Sequence, residues 1–261
     1  MISIFQAIIL GTVQGLTEFL PVSSSAHLFL VRWLLRWPEP GLAFDVVLHL
    51  GSLLALLAYY WRDWLDMGMS LADGRAMPRR LLFMLVIASI PGAIIGVLLE
   101  KQAETTFRSP VLIATTLALM GIALWACDSI GSKKRKIEDI TFVDALLIGL
   151  SQALAIIPGV SRSGATITTA RLLGIDRPDA ANFSFLMATP IIAGAGMLEV
   201  HKLFHSGLAA QLGCGFVASA VFSILAIVGL LRFVRTRSYQ PFAIYRIIIG
   251  IAVIAIAMSR R

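Results

Sequence analysis

Nine apolar segments, at roughly 3–20, 26–35, 43–61, 80–99, 110–127, 142–157, 182–200, 208–233 and 241–258, take up most of the 261 residues. A helix needs about 20 apolar residues to cross a bilayer core at 1.5 Å per residue. Most of these segments meet that length, and none is separated from the next by enough chain to build a sizeable extramembrane domain. Charged residues make up 14% of the chain and hydrophobic ones 58%, against about 25% charged in soluble domains. A soluble globular enzyme, a disordered chain and a coiled coil are excluded. The net charge is +7. Its basic residues sit mainly in short connections, where they report membrane topology rather than nucleic-acid binding. Cys127 and Cys214 lie in apolar stretches and suggest no disulfide framework. The four histidines show no paired zinc-binding spacing.

Two regions resist a count of nine spans. Segment 26–35 is too short to cross, and the join before it, Leu20-Pro21-Val22-Ser23-Ser24-Ser25-Ala26-His27, is polar. Region 142–174 likewise has an apolar run, a Pro-Gly-Ser break and a short helix-like return. Each reads as a re-entrant hairpin, 3–35 and 142–174, because irregular backbone at membrane depth must be buried in protein or line a wet cavity. The hairpins resemble each other: Gly11 precedes Gln14 as Gly149 precedes Gln152, and Pro21 and Pro158 follow those glutamines by seven and six residues. The expectation is an all-α polytopic membrane protein of one domain, with six transmembrane helices and two re-entrant helical hairpins. Repeat one would cover about 1–127 and repeat two about 140–261. Arg62, Arg75, Arg79 and Arg80, then Lys133, Lys134, Arg135 and Lys136, then Arg232, Arg235 and Arg237 mark three basic connections. The positive-inside rule places all three in the cytoplasm, so the hairpins enter from opposite sides as an inverted repeat. Arg260 and Arg261 then end outside, against the rule. The first apolar run carries Gln14 and Glu18, and the first cation is Arg32, so this run does not read as a removable signal peptide.

Intramembrane ionisable residues are rare and usually functional. Gln14 and Glu18 share a helix face, and Glu18 must be protonated, paired or metal-bound unless it reaches the interface. Ser23, Ser24 and Ser25 offer hydroxyls or a helix cap. His27 alone would read as structural; beside Glu18 it suggests an acid/base pair. The second break, Pro158-Gly159-Val160-Ser161-Arg162-Ser163-Gly164-Ala165-Thr166, starts a helix whose free N–H groups favour an anion. Arg162 adds a fork suited to phosphate oxygens. Asp45 and His49 share a face that is either pore-lining or interfacial. Arg246, inside an apolar run, is expected to pair with an acid in the core.

At these residues a resemblance emerges. Gln14-x-x-x-Glu18-Phe19-Leu20-Pro21-Val22-Ser23-Ser24-Ser25-Ala26-His27 and the Pro158–Thr166 motif resemble the two signatures of bacterial undecaprenyl pyrophosphate phosphatases of the bacitracin-resistance type. Phe183-Ser184-Phe185-Leu186 and Pro241-Phe242-Ala243-Ile244-Tyr245-Arg246 look like further parts of that family. The resemblance implies a multi-pass protein of the bacterial plasma membrane that hydrolyses undecaprenyl pyrophosphate to undecaprenyl phosphate and inorganic phosphate. That step recycles the lipid carrier for peptidoglycan and confers bacitracin resistance. It implies a divalent cation, Mg²⁺ or Ca²⁺, with Glu18 as ligand. It gives catalytic roles to Glu18, His27, Ser24 and Arg162, and substrate-binding roles to Gln14, Ser23, Ser161, Ser163, Gly164 and Thr166. Gln14 stands where the family has Glu or Gln, leaving Glu18 the sole carboxylate of that pair. Direct water attack and a covalent intermediate both stay open, as does a homodimer. The rival readings are a transporter or flippase of an anionic, phosphate-bearing lipid, and a non-catalytic lipid-binding scaffold.

Overall fold

The computed structural model describes residues 2–104, 107, 109–130, 134–203 and 209–260. Lys133, from the second basic connection, and Arg108, His205 and Arg261 lie outside them. The described residues form helices α1 (Ile4–Phe19), α2 (Ser24–Leu35), α3 (Leu42–Tyr59), α4 (Trp61–Asp73), α5 (Ala76–Glu104), α6 (Pro110–Ser129), α7 (Phe142–Ala153), α8 (Arg162–Leu172), α9 (Arg177–Leu203), α10 (Ala209–Val234) and α11 (Gln240–Ser259). No strand is present among them; one isolated bridge joins Arg135 to Ile175. Five helices are long and apolar enough to cross a membrane, and a sixth crossing arises if α3 and α4, bent by 71°, count as one. Phe5, Ile94, Val97, Ile122, Val217 and Ile251 are exposed on the outer faces of the bundle. So much outward apolar surface is unsuited to water and suits lipid. The chain is an all-α polytopic membrane protein.

Connection 62–79, expected as a loop, mostly carries α4. Asp63 in its first turn suits the positive end of the helix dipole. Gly74, in the left-handed region at φ 74°, stops it. The three basic connections meet at one end of the molecule. Arg80 donates to the carbonyls of Glu138 and Ile140, and Asp128 accepts from Arg171, Arg177 and the Tyr239 N–H.

The two breaks are built alike. Helices α1 and α7 each open with a capping box, Ser3 with Gln6 and Thr141 with Asp144, which satisfies orphan amide donors at both starts. Helix α1 then packs along α10, and α7 along α5. Close approach requires glycine at corresponding points: a Cβ on Gly11 would lie 2.3 Å from the Gly215 carbonyl oxygen, and one on Gly149 would lie 2.3 Å from that of Ala88. The returning helices α2 and α8 start from Ser23 at φ 76° and Ser161 at φ 73°. Such non-glycine geometry is strained by about 1–3 kcal/mol and persists only where the surroundings enforce it.

Candidate active site

The strained serines sit where the two breaks face each other. Glu18 ends α1 with a side chain only 5% exposed, and Arg162 opens α8 with one 14% exposed. Arg162 Nη2 lies 2.5 Å from Glu18 Oε1, across 144 positions of sequence. Arg162 Nη1 donates to the Ala188 carbonyl at 3.2 Å, which aims the fork. Glu18 Oε2 accepts from Gln14 Nε2 at 2.9 Å and from the Ser24 hydroxyl. A carboxylate and a guanidinium buried this deeply require such pairing and further hydrogen bonds.

Of the remaining hydroxyls, Ser163 fastens one break to the other, while Ser161 and Thr166 hold the start of α8 in shape. Ser163 Oγ donates to the carbonyls of Leu20 at 3.0 Å and Glu18 at 3.3 Å. Ser161 Oγ caps α8 by accepting from the Gly164 N–H at 3.0 Å. Thr166 Oγ1 bonds the Arg162 carbonyl at 2.9 Å and lies 2.7 Å from Ser184 Oγ. Arg246 completes the clamp. It is fully buried and donates to the carbonyls of Pro21 (2.9 Å), Gly159 and Val160 (both 2.8 Å) and Leu117 (3.2 Å). The acid expected beside it is replaced by four carbonyls, three of them (Pro21, Gly159 and Val160) backbone acceptors that the helix breaks leave in need of donors. Gly164 makes room for it: a Cβ there would stand 2.4 Å from Arg246 Nη1.

A cavity of about 350 Å³ opens over the Glu18–Arg162 pair. Of the residues singled out from sequence, Glu18, Ser23, Ser24, Ser25, Ser161 and Arg162 line it. Gln14, Ser163, Gly164 and Thr166 do not line it and instead support those that do. His27 stands apart. Its Nδ1 bonds the Ser23 carbonyl at 2.7 Å and its Nε2 the Tyr245 hydroxyl at 2.8 Å, and the two rings stack with centroids 5.6 Å apart. The expected His27–Glu18 pair is therefore absent, because the first turn of α2 points His27 at α11. The imidazole beside Glu18 is His49, with Nε2 3.6 Å from Glu18 Oε2. His49 Nδ1 lies 2.8 Å from the Asp45 carbonyl, which fixes its proton there and leaves Nε2 facing the cavity. Asp45 and Gln152 also line the cavity. The helical spacing of Asp45 and His49 was visible in the sequence; which way their face turned was not.

The donor set does not resemble a preformed metal cage. No group of three or more His, Cys, Asp or Glu side chains suited to a metal occurs among the described residues. Glu18 is committed to Arg162, Gln14 and Ser24, and Asp45 accepts two bonds from Arg32, at 2.7 and 3.2 Å.

The family model for the bacitracin resistance protein BacA matches residues 7–252. The chain belongs to the BacA family. BacA-family relatives named undecaprenyl-diphosphatase include one from Moorella thermoacetica, 52% identical over 99% of this chain and 100% of its own length. Another, from Desulforudis audaxviator, is 51% identical over 98% of both chains. A third, from Pelotomaculum thermopropionicum, is 46% identical over 99% of this chain and 98% of its own. The BacA match spans both breaks and nearly every helix, so the cavity belongs to the region that the family shares.

Proposed function

We propose that this protein is an undecaprenyl-diphosphatase of the bacterial inner membrane. It hydrolyses undecaprenyl pyrophosphate to undecaprenyl phosphate and inorganic phosphate, and so returns the lipid carrier to peptidoglycan synthesis. The observation that carries this reading is the buried Glu18–Arg162 pair between two helix breaks. A fixed cation with N–H groups at a helix start suits a diphosphate, and phosphoryl transfer depends mainly on positioning and charge stabilisation. The apolar side of the cavity, with Gly96, Ile156, Ile191, Ile192 and Ala195, suits an isoprenoid chain.

In this reading the diphosphate takes Arg162 from Glu18. The freed carboxylate then accepts a proton from Ser24 or from a water held in its place. Oxygen attacks the terminal phosphorus, the anhydride P–O bond breaks, and undecaprenyl phosphate leaves. Attack by water gives inorganic phosphate directly, whereas attack by Ser24 leaves a phosphoserine that a second water hydrolyses to phosphate, returning the proton to Ser24. His49 Nε2 is placed to receive or return a proton. A divalent cation brought with the diphosphate would be held by Glu18 and would supply charge neutralisation. Halves 1–127 and 140–261 form an inverted repeat in this proposal, with 3–35 and 142–174 as re-entrant hairpins. The paired capping boxes, the paired serines of positive φ and the matching α1–α10 and α5–α7 contacts support it.

The test is release of phosphate from undecaprenyl pyrophosphate by purified protein in detergent, with and without chelator. Wild type should turn over. Arg162→Ala should lose about 10²-fold or more, as for removal of a preorganised charge stabiliser, and Arg162→Lys should recover only part, lacking the fork. Lipid movement without phosphate release would make the protein a transporter instead.

A further inference from the structure

Gln152 is buried to 97%, given its relative exposure of 3%, and it lines the same cavity as Glu18 and Arg162. Neither Nε2 nor Oε1 of its side chain has a hydrogen-bond partner among the described residues. A buried primary amide with nothing to bond is unfavourable, and native proteins rarely keep one without a reason.

The first break shows what the second lacks. Gln14 occupies the matching place in its own motif, and there its Nε2 is taken by Glu18 four residues on. Four residues after Gln152 stands Ile156, which accepts nothing. The amide of Gln152 is thus left buried and without a partner at the wall of the cavity. Helix α5 also makes way for it: a Cβ on Gly92 would stand 2.6 Å from Gln152 Nε2. An amide needing an acceptor for its N–H and a donor for its oxygen, on the wall of a cavity with a buried arginine, suits a hydrated phosphate group.

We propose that Gln152 is a substrate-binding residue: its Nε2 donates to a phosphate oxygen of the polyprenyl diphosphate, and its Oε1 holds a water beside that phosphate. The proposal rests on the diphosphatase reading above and adds a contact from the second break that matches no role of Gln14.

The test compares wild type, Gln152→Met and Gly92→Ala, all full length in detergent. Three quantities are read: KM and kcat for undecaprenyl pyrophosphate, thermal stability without ligand, and the thermal shift given by a methylene-bisphosphonate analogue of farnesyl diphosphate. Methionine keeps the volume and removes both unpaired polar atoms. Gln152→Met should therefore melt no lower than wild type, while KM rises on the order of tenfold to a hundredfold, the range for losing a hydrogen bond to a charged group, and the analogue shift shrinks. Gly92→Ala displaces the amide without removing it and should raise KM in the same direction. If Gln152→Met fails to fold, Gly92→Ala decides alone. Unchanged KM and unchanged analogue shift in the folded variants overturn the role of Gln152 while leaving the diphosphatase reading intact. Absence of phosphate release by wild type overturns that reading. In that case an analogue shift present in wild type and lost in Gln152→Met still sustains Gln152 as a phosphate-binding residue, and no shift in wild type sinks both.

Discussion

Glu18 is held by four neighbours, and each substitution there tests something different. Glu18→Gln should abolish turnover and also lower stability, because it strands the buried Arg162 guanidinium; breaking one side of a buried ion pair costs about 3–5 kcal/mol. Gln14→Glu should keep activity and tighten the dependence on Mg²⁺, since two carboxylates on one helix face repel until a cation joins them. Turnover against Mg²⁺ concentration for both variants checks this; equal losses with unchanged metal dependence would mean the face is packing only. His27 poses a separate question, since its two ring nitrogens are spent on Ser23 and Tyr245. Its role in this geometry is to pin the start of α2 to α11. His27→Ala and Tyr245→Phe should then be non-additive in thermal stability, coupling by about 0.5–3 kcal/mol as contacting residues do. Additive effects would show that the bond carries no weight.

At the scale of the helix, small residues decide how close two cylinders come. Gly149→Ala sets a methyl group 2.3 Å from a backbone oxygen of α5. Backbone cannot yield as a side-chain tip can, so α7 must shift and the melting temperature should fall by several degrees. Gly229 in α10 has nothing within 4 Å of a notional Cβ, and Gly229→Ala should be neutral or gain about 0.5–1 kcal/mol from helix propensity. Thermal melts of the pair measure the difference, and a harmless Gly149→Ala would show that the α5–α7 contact is loose. Much at this scale was legible. The helix breaks announced themselves by proline, glycine and serine, and the meeting of Glu18 with Arg162 followed from reading the breaks as opposed. What stayed hidden was whatever depends on side-chain direction or on backbone partners. The bond from His27 to Tyr245 spans 218 positions. Arg246 answers carbonyls, which leave no mark in the residue types. The vacancy left to Gln152 by Ile156 shows only once the two breaks are laid against each other in space.

For the molecule as a whole, charge and packing agree on one end. Arg80 reaches the second basic connection and Asp128 reaches the third, so all three connections share a face. Single cysteines at Arg79→Cys and Arg237→Cys, in a background without Cys127 and Cys214, should react with a membrane-impermeant maleimide only from the cytoplasmic side. A cysteine replacing Leu35, at the end of α2, should react only from the opposite side. Labelling of Arg79→Cys and Arg237→Cys from different sides would break the inverted arrangement.

The bond between Glu18 and Arg162 makes the resting site its own placeholder. In the proposed reaction Glu18 holds, at rest, the place beside Arg162 that a phosphate would take, so the paired site presents little net charge to the bilayer. A visitor must outcompete a tethered carboxylate, and a diphosphate, with more charge and more oxygens than one carboxylate offers, is equipped to do so. A single phosphate is much less so. Entry is thereby graded by charge, and departure of the product is helped by the same carboxylate closing behind it.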